Sequence, residues 1–266
     1  MANVEYLRSS RERMKAHQKY LEDLDWLGEQ ENEKSGGYFY WSVYDSPLSS
    51  GEKNSIGDTF RPVVPGRLAL RTFIMEEFAN QRGELVGIEL GGSGSQCFAD
   101  FPKGLFKLSA GVTLKDLRNE NARKQDEDRH HHVVEFDVTS PLLEQVLKKK
   151  LGIDKFDVIL ERMEGGLRLD VRDPYFLYQV GNNWYQMLRT GGVMFLQCPT
   201  FLHKILPQWV LKVNETTTGT IETKYLGRKR RNYAFLKGSL WISKREGAPG
   251  NLPFLTPREL KAAFTT

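Results

Sequence analysis

Cysteine is nearly absent. Cys97 and Cys198 are the only two in 266 residues, and a pair so far apart in sequence supports neither a disulfide framework nor a cysteine-built metal cluster. Long apolar runs are missing too: no stretch approaches the ~20 uninterrupted residues that a membrane span needs. The opening MANVEYLRSSRERMK carries charges where a secretion signal has its apolar segment. These absences predict reduced thiols, no membrane partner, no metal site and a cytoplasmic location. No Gly-Lys-Ser/Thr follows any glycine-rich turn, which excludes a triphosphate-binding P-loop. Charge of one sign is also scarce overall, at +4, but residues 214–266 hold ten Lys or Arg against four Glu. A basic C-terminal quarter of this kind is either a solvated rim or a surface for phosphates, so RNA is an expected possible partner.

What is present is apolar material for one full-sized core, 39% of the residues being hydrophobic and 11% aromatic. Residues 4–27 place Met14, His17, Leu21 and Leu24 at three- and four-residue spacing, an amphipathic helix that packs on its own domain or on a second copy. Residues 28–37 read as a polar linker. The aromatic run Tyr38, Phe39, Tyr40 and Trp41 reads as packing for that helix or as a lid, and residues 46–66, rich in Pro and Gly, as irregular. The chain thus divides into an N-terminal helical extension, residues 1–66, and an α/β domain, residues 67–266.

In that domain a helix is predicted over residues 67–81 and short apolar strands over 85–90, 111–114, 133–138, 156–160 and 193–197. The best intervening helix covers 173–189, with an Asp cap, Pro174 in the first turn and Leu177, Val180, Trp184 and Leu188 along one face. Continuous apolar strands alternating with helices give a doubly wound, mostly parallel sheet covered on both faces. A helix over 202–213 and an antiparallel hairpin, strands 220–226 and 234–244, close it.

In such a sheet ligands bind beyond the carboxyl ends of the strands. The turn Glu89-Leu90-Gly91-Gly92-Ser93-Gly94-Ser95 falls there, after the first strand, and is expected to lie open at that edge. Glycines let a backbone approach a bound group closely, although an ordinary tight turn uses them as well. Read as a dinucleotide fingerprint from Gly92, the turn has Cys97 where the third glycine belongs, which counts against a nicotinamide-dependent oxidoreductase.

LVGIELGGSGS resembles the first motif of the class I S-adenosylmethionine-dependent methyltransferases. SAGVTLKD, VVEFDV, FDVILE and MLRTGGVMFLQ resemble their second, third, fourth and fifth strands, in the right order. The resemblance covers roughly residues 67–244 and implies a seven-stranded sheet, S-adenosylmethionine as cofactor and methyl transfer as the activity. It implies that Glu89, Gly91, Gly92, Ser93 and Gly94 contact the methionine and ribose part of the cofactor. It also implies that Thr113 or Asp116 meets the ribose hydroxyls, that Asp137 meets the adenine amino group, and that Val138 makes a neighbouring contact. An acceptor then arrives at Glu161 and Arg162, where Glu161 orients or deprotonates it; an ion pair at the strand end is the plainer reading of those two.

The chain departs from the family pattern at Ser93 and Ser95, where glycines are common, and a non-catalytic interaction module on the same fold is the competing expectation. Glu161-Arg162-Met163-Glu164 replaces the Asp/Asn-Pro-Pro-aromatic motif of base N-methylating members. Gln197 stands where an RNA ribose 2′-O-methyltransferase has the second lysine of its Lys-Asp-Lys-Glu tetrad. His130-His131-His132 reads as a solvated strand entrance, and Arg228-Lys229-Arg230-Arg231 as a solvated turn.

Overall fold

The computed structural model describes residues 56–113, 116, 118–161, 174–198, 200–227 and 238–265. The expected N-terminal helix, the aromatic run 38–41, the Asp173 cap, Arg162 and the basic turn 228–231 lie outside the described residues.

Five strands run parallel: β1 (Leu85–Leu90), β2 (Phe106–Thr113), β3 (His131–Glu135), β4 (Phe156–Glu161) and β5 (Leu188–Cys198). The hairpin strands β6 (Ile221–Gly227) and β7 (Gly238–Lys244) complete a seven-stranded sheet of order β3-β2-β1-β4-β5-β7-β6, with β7 antiparallel to both neighbours. The central strands are apolar on both faces because helices cover both: every residue of LVGIEL and FDVILE is buried.

Pleating sends alternate side chains to two separate cores. One face takes Val86, Ile88, Leu90, Ile159, Met194, Leu196 and Leu240, packed under α6 (Pro174–Met187) and α7 (Leu206–Thr217) by Trp184 and Trp209. The other takes Leu85, Val158, Leu160, Val193, Phe195 and Trp241, packed by Ile56, Phe60, Phe73 and Ile74. These last four come from α1 (Ile56–Phe60) and α2 (Leu70–Glu77), so a segment expected to be irregular contributes a short buried helix. Between the strands lie α3 (Ser95–Ala99), α4 (Glu120–Glu127) and α5 (Leu143–Leu151), and α8 (Pro257–Thr265) ends the described chain. Asp157 secures the middle of the sheet: it accepts the Val86 amide at 2.7 Å and an Arg189 N–H at 3.0 Å.

Both cysteines are buried thiols outside any disulfide. Burial, and then the nearby charge of Glu161, push the Cys198 thiol well above its ordinary range. Native protein at neutral pH is therefore expected to leave both thiols unreacted with a disulfide reagent, and both should titrate once guanidinium unfolds it. A thiol that reacts at once in the native state contradicts this packing.

Candidate functional site

Because β1 to β5 are parallel, their carboxyl ends share one edge, and that edge gathers the predicted residues. Glu89 is next to last in β1 and only 3% exposed. The chain then turns through Gly91 (φ +93°) and Gly94 (φ +72°), left-handed conformations that favour glycine, before α3 begins at Ser95. Thr113 ends β2, half-buried, and its carbonyl accepts the Phe136 amide. Asp137 and Val138 follow β3, Glu161 ends β4, and Gln197 and Cys198 end β5.

The glycine turn is at the expected edge but does not stand open. Gly91 is half-buried and residues 92–95 are buried, folded onto β2. The Gly91 amide donates to the Val112 carbonyl at 2.9 Å, and Gly92 bridges Val112. The turn passes so close to β2 that a Cβ on Gly111 would lie 1.8 Å from the Ser93 carbonyl oxygen.

Side chains from β2, β3 and α4 hold the turn in place. His131 is buried, not solvated; the histidine run enters β3 with alternate residues on opposite faces, and His132 takes the exposed one. His131 Nε2 lies 2.7 Å from the Ser93 carbonyl oxygen and His131 Nδ1 2.8 Å from Ser109 Oγ. A carbonyl can only accept, so the proton sits on Nε2 and the Ser109 hydroxyl donates to Nδ1. Burial, against the raising effects of Asp126 and of the Ser93 bond, lowers His131 to about 4 and keeps it neutral. Ser95 Oγ donates to Asp126 at 2.5 Å, and Arg118 binds the same Asp126 oxygen.

Asp116 belongs to this strap. Its Oδ1 accepts from the Arg118 amide at 3.1 Å and from Arg118 Nε at 2.9 Å, and its Oδ2 from Nη2 at 2.9 Å. Burial alone raises this carboxyl, but the hydrogen bonds and charge of Arg118, with Arg123, outweigh that and hold it below its ordinary range. Asp137 uses one oxygen as a local cap: Oδ1 accepts both the amide and the hydroxyl of Thr139 at 2.8 Å. Oδ2 carries no bond among the described residues. The Val138 side chain is buried and its carbonyl accepts the Trp184 indole N–H at 2.8 Å, tying α6 to this edge.

Glu161 is 2% exposed, and its Oε2 accepts the Gln197 amide at 3.2 Å. Next to it, an apolar cavity of about 110 Å³ runs between the sheet, α6, α7 and the C-terminal segment. No sequence signal marked Ser109, Asp126, Arg118 or this cavity. For His131 the signal was that consecutive residues entering a strand point to opposite faces, so the histidine run could not be solvated throughout.

The strand order, with its antiparallel β7 inserted between β5 and β6, makes this the class I S-adenosylmethionine-dependent methyltransferase fold. No protein-family model matches the sequence, and no curated protein matches it. Among solved structures the chain is similar to an rRNA methylase from Streptococcus thermophilus, at 8% identity over 67% of this chain and 99% of that one, with a TM-score of 0.43. It is also similar to an N-methyltransferase from Bradyrhizobium japonicum (12% identity, 66% and 94% covered, TM-score 0.41). A branched-chain polyamine synthase from Thermus thermophilus matches at 12% identity, with 70% and 58% covered and a TM-score of 0.44. Likenesses this distant add nothing to what the strand order carries by itself.

Proposed function

We propose that the chain binds S-adenosylmethionine at the glycine turn and transfers its methyl group to an acceptor held at Glu161. The observation that carries this reading is the convergence, at one edge of a sheet of this order, of Glu89, a turn with two left-handed glycines, and Asp137 with a carboxylate oxygen that takes no bond from the described residues. The donor set suits the cofactor: a buried carboxylate favours its cationic amino-acid end, and Asp137 Oδ2 can accept an N–H from adenine. Asp116, its oxygens taken by Arg118, is poorly placed to accept a ribose diol, so we assign that edge to Thr113 and give Asp116 a role in holding the turn.

When bound, the cofactor supplies an electrophilic methyl on a sulfonium whose departure as a thioether needs no acid from the protein. What remains for the chain is to position the acceptor, exclude water and take up a proton, and Glu161 is our assignment for the last.

A ligand-induced thermal shift tests the assignment. S-adenosylhomocysteine should raise the melting temperature of the parent and of Glu161→Gln equally. Asp137→Ala should need roughly tenfold more ligand for the same shift, the size of one lost charge-assisted hydrogen bond. Equal shifts in all three proteins would remove Asp137 from the site.

The seating of the turn on β2 favours one second reading, a non-catalytic module whose glycine turn serves packing alone. On that reading no shift occurs in any of the three.

A further inference from the structure

The sheet ends at β6, which pairs with β7 on one side and with no further strand among the described residues on the other. Hydrogen bonding fixes which backbone groups its outer side presents. The Arg245 amide donates to the Thr220 carbonyl at 2.8 Å, and in the register that pairs Ile221 with Lys244 these two residues face each other. Bonded pairs in an antiparallel ladder recur at every second residue. Glu222, Lys224 and Leu226 therefore bond inward to β7, while Ile221, Thr223 and Tyr225 direct their amides and carbonyls outward. The Ile221 carbonyl takes the Thr217 hydroxyl at 3.3 Å, as an outward group can, and keeps a second lone pair. An open groove of about 580 Å³ follows this side of the strand, lined in succession by Ile221, Glu222, Thr223 and Lys224. Successive residues point to opposite faces, so all four meet one groove only at the rim of the sheet.

A bare outer strand is a template for another strand, and proteins guard such strands with charge. Here the guards have both signs. Glu222 and Lys224 share the face that carries Trp241, since Lys224 pairs with Trp241 and Glu222 with Ser243. Glu222 Oε1 accepts from Arg245 Nε at 3.2 Å, and Arg245 also holds Glu77. The described residues expose three large apolar side chains, and two of them border this strand: Leu226, 45% exposed, near its end, and Leu211, 60% exposed, on α7. Leu211 lies three residues before Asn214, which lines the groove, so both belong to one stripe of that helix.

We infer that β6 pairs antiparallel with the β6 of a second copy of this chain, about a two-fold axis at Thr223, so that two sheets become one. The charges select the axis. Centred on Thr223, the ladder bonds Thr223 to its own copy and Ile221 to Tyr225, all of them outward residues. It also sets Glu222 opposite Lys224 twice, at the non-bonded positions where side chains stand closest. Moving the axis by one residue opposes Glu222 to Glu222 in one direction and Lys224 to Lys224 in the other. The same register brings each Leu226 against Thr220 of the second copy, and the Leu211 stripe of α7 flanks the seam. β4, β5 and β7 separate β6 from β1, so the pairing does not depend on the proposed cofactor edge.

Sedimentation equilibrium of the full chain tests this. The parent should form a dimer. Lys224→Glu alone and Glu222→Lys alone each set like charges at both symmetric positions and should weaken it by roughly thirtyfold. Mixed one to one, the two variants oppose only unlike charges and should recover the parent's affinity as a heterodimer, a result that misfolded chains cannot give. The double exchange of Glu222→Lys with Lys224→Glu should dimerise like the parent. Thr223→Pro removes an amide that β7 does not use, and should abolish the dimer in a chain that still unfolds cooperatively. A parent that sediments as a monomer at every concentration leaves the strand to some other partner and overturns the proposal. So does a dimer that Thr223→Pro and both charge reversals leave at the parent's strength, or a mixture of two cooperatively unfolding single variants that recovers no dimer.

Discussion

Gly111→Ala should unseat the glycine turn, lowering stability by about 3 kcal/mol and affinity for S-adenosylhomocysteine by roughly a hundredfold. The new Cβ would stand 1.8 Å from the Ser93 carbonyl oxygen and 2.1 Å from its carbon. Both are backbone atoms, so no side chain can rotate away to make room. Relief requires the turn to lift off β2, breaking the Gly91 amide to Val112 carbonyl bond and drawing the Ser93 carbonyl away from His131. A buried imidazole N–H and a buried carbonyl would then lose their partners together, which sets the size of the stability loss. Chemical denaturation and calorimetry of the variant check both effects. A variant with the parent's stability and affinity would mean that the turn does not rest on β2.

The second large effect is acid sensitivity centred on His131. Its folded-state value of about 4 lies below the 6.5 of an unperturbed histidine. Between those two values the unfolded chain binds more protons than the folded one, so this group's contribution is fully present above the unfolded value and declines as the pH falls. Over the whole window it amounts to about 3 kcal/mol, and to about 2 kcal/mol between roughly pH 7 and pH 5. Protonation also puts a hydrogen on Nδ1, where the imidazole now accepts from Ser109, so that hydrogen bond reverses as the ring becomes charged. Urea unfolding at the two pH values should show this loss in the parent, and a flatter dependence, from a lower starting stability, in His131→Gln. A parent whose stability is unchanged over that range would place His131 in water.

The fold was legible where one physical cause acted alone. β1 and β4 are buried on both faces, so their apolar runs mark their positions with little ambiguity, and the strand–helix alternation carried the parallel order. β2 begins at Phe106, well before the expected residue 111, because Lys107 and Ser109 interrupt the apolar pattern. Lys107 faces solvent, while Ser109 is buried and satisfied by His131, so one interruption marks a surface and the other a hidden polar contact. The helices α1 and α8 were not foreseen: each is short, and each is fixed by the core it packs on more than by its own periodicity.

The candidate site divides the same way. The glycines and the acids at strand ends can be read locally, since each follows its own strand. The strap that closes the turn joins Ser95 to Asp126, 31 positions later, and Ser93 to His131, 38 positions later. Such pairings exist only once β1, β2 and β3 are side by side. They also give a physical reason for one of the serines: Ser95 carries the hydroxyl that reaches Asp126, which a glycine cannot supply, whereas Ser93 acts through its backbone carbonyl. The replacement at Ser95, which weakens the motif by sequence, thus anchors its turn in the fold.

Calorimetric titration of the unaltered chain with S-adenosylhomocysteine is the most direct measurement of the central claim. The account predicts saturable, micromolar binding at one site per chain. A protein shown by its cooperative unfolding to be folded, yet giving neither heat nor thermal shift with this ligand, would contradict it.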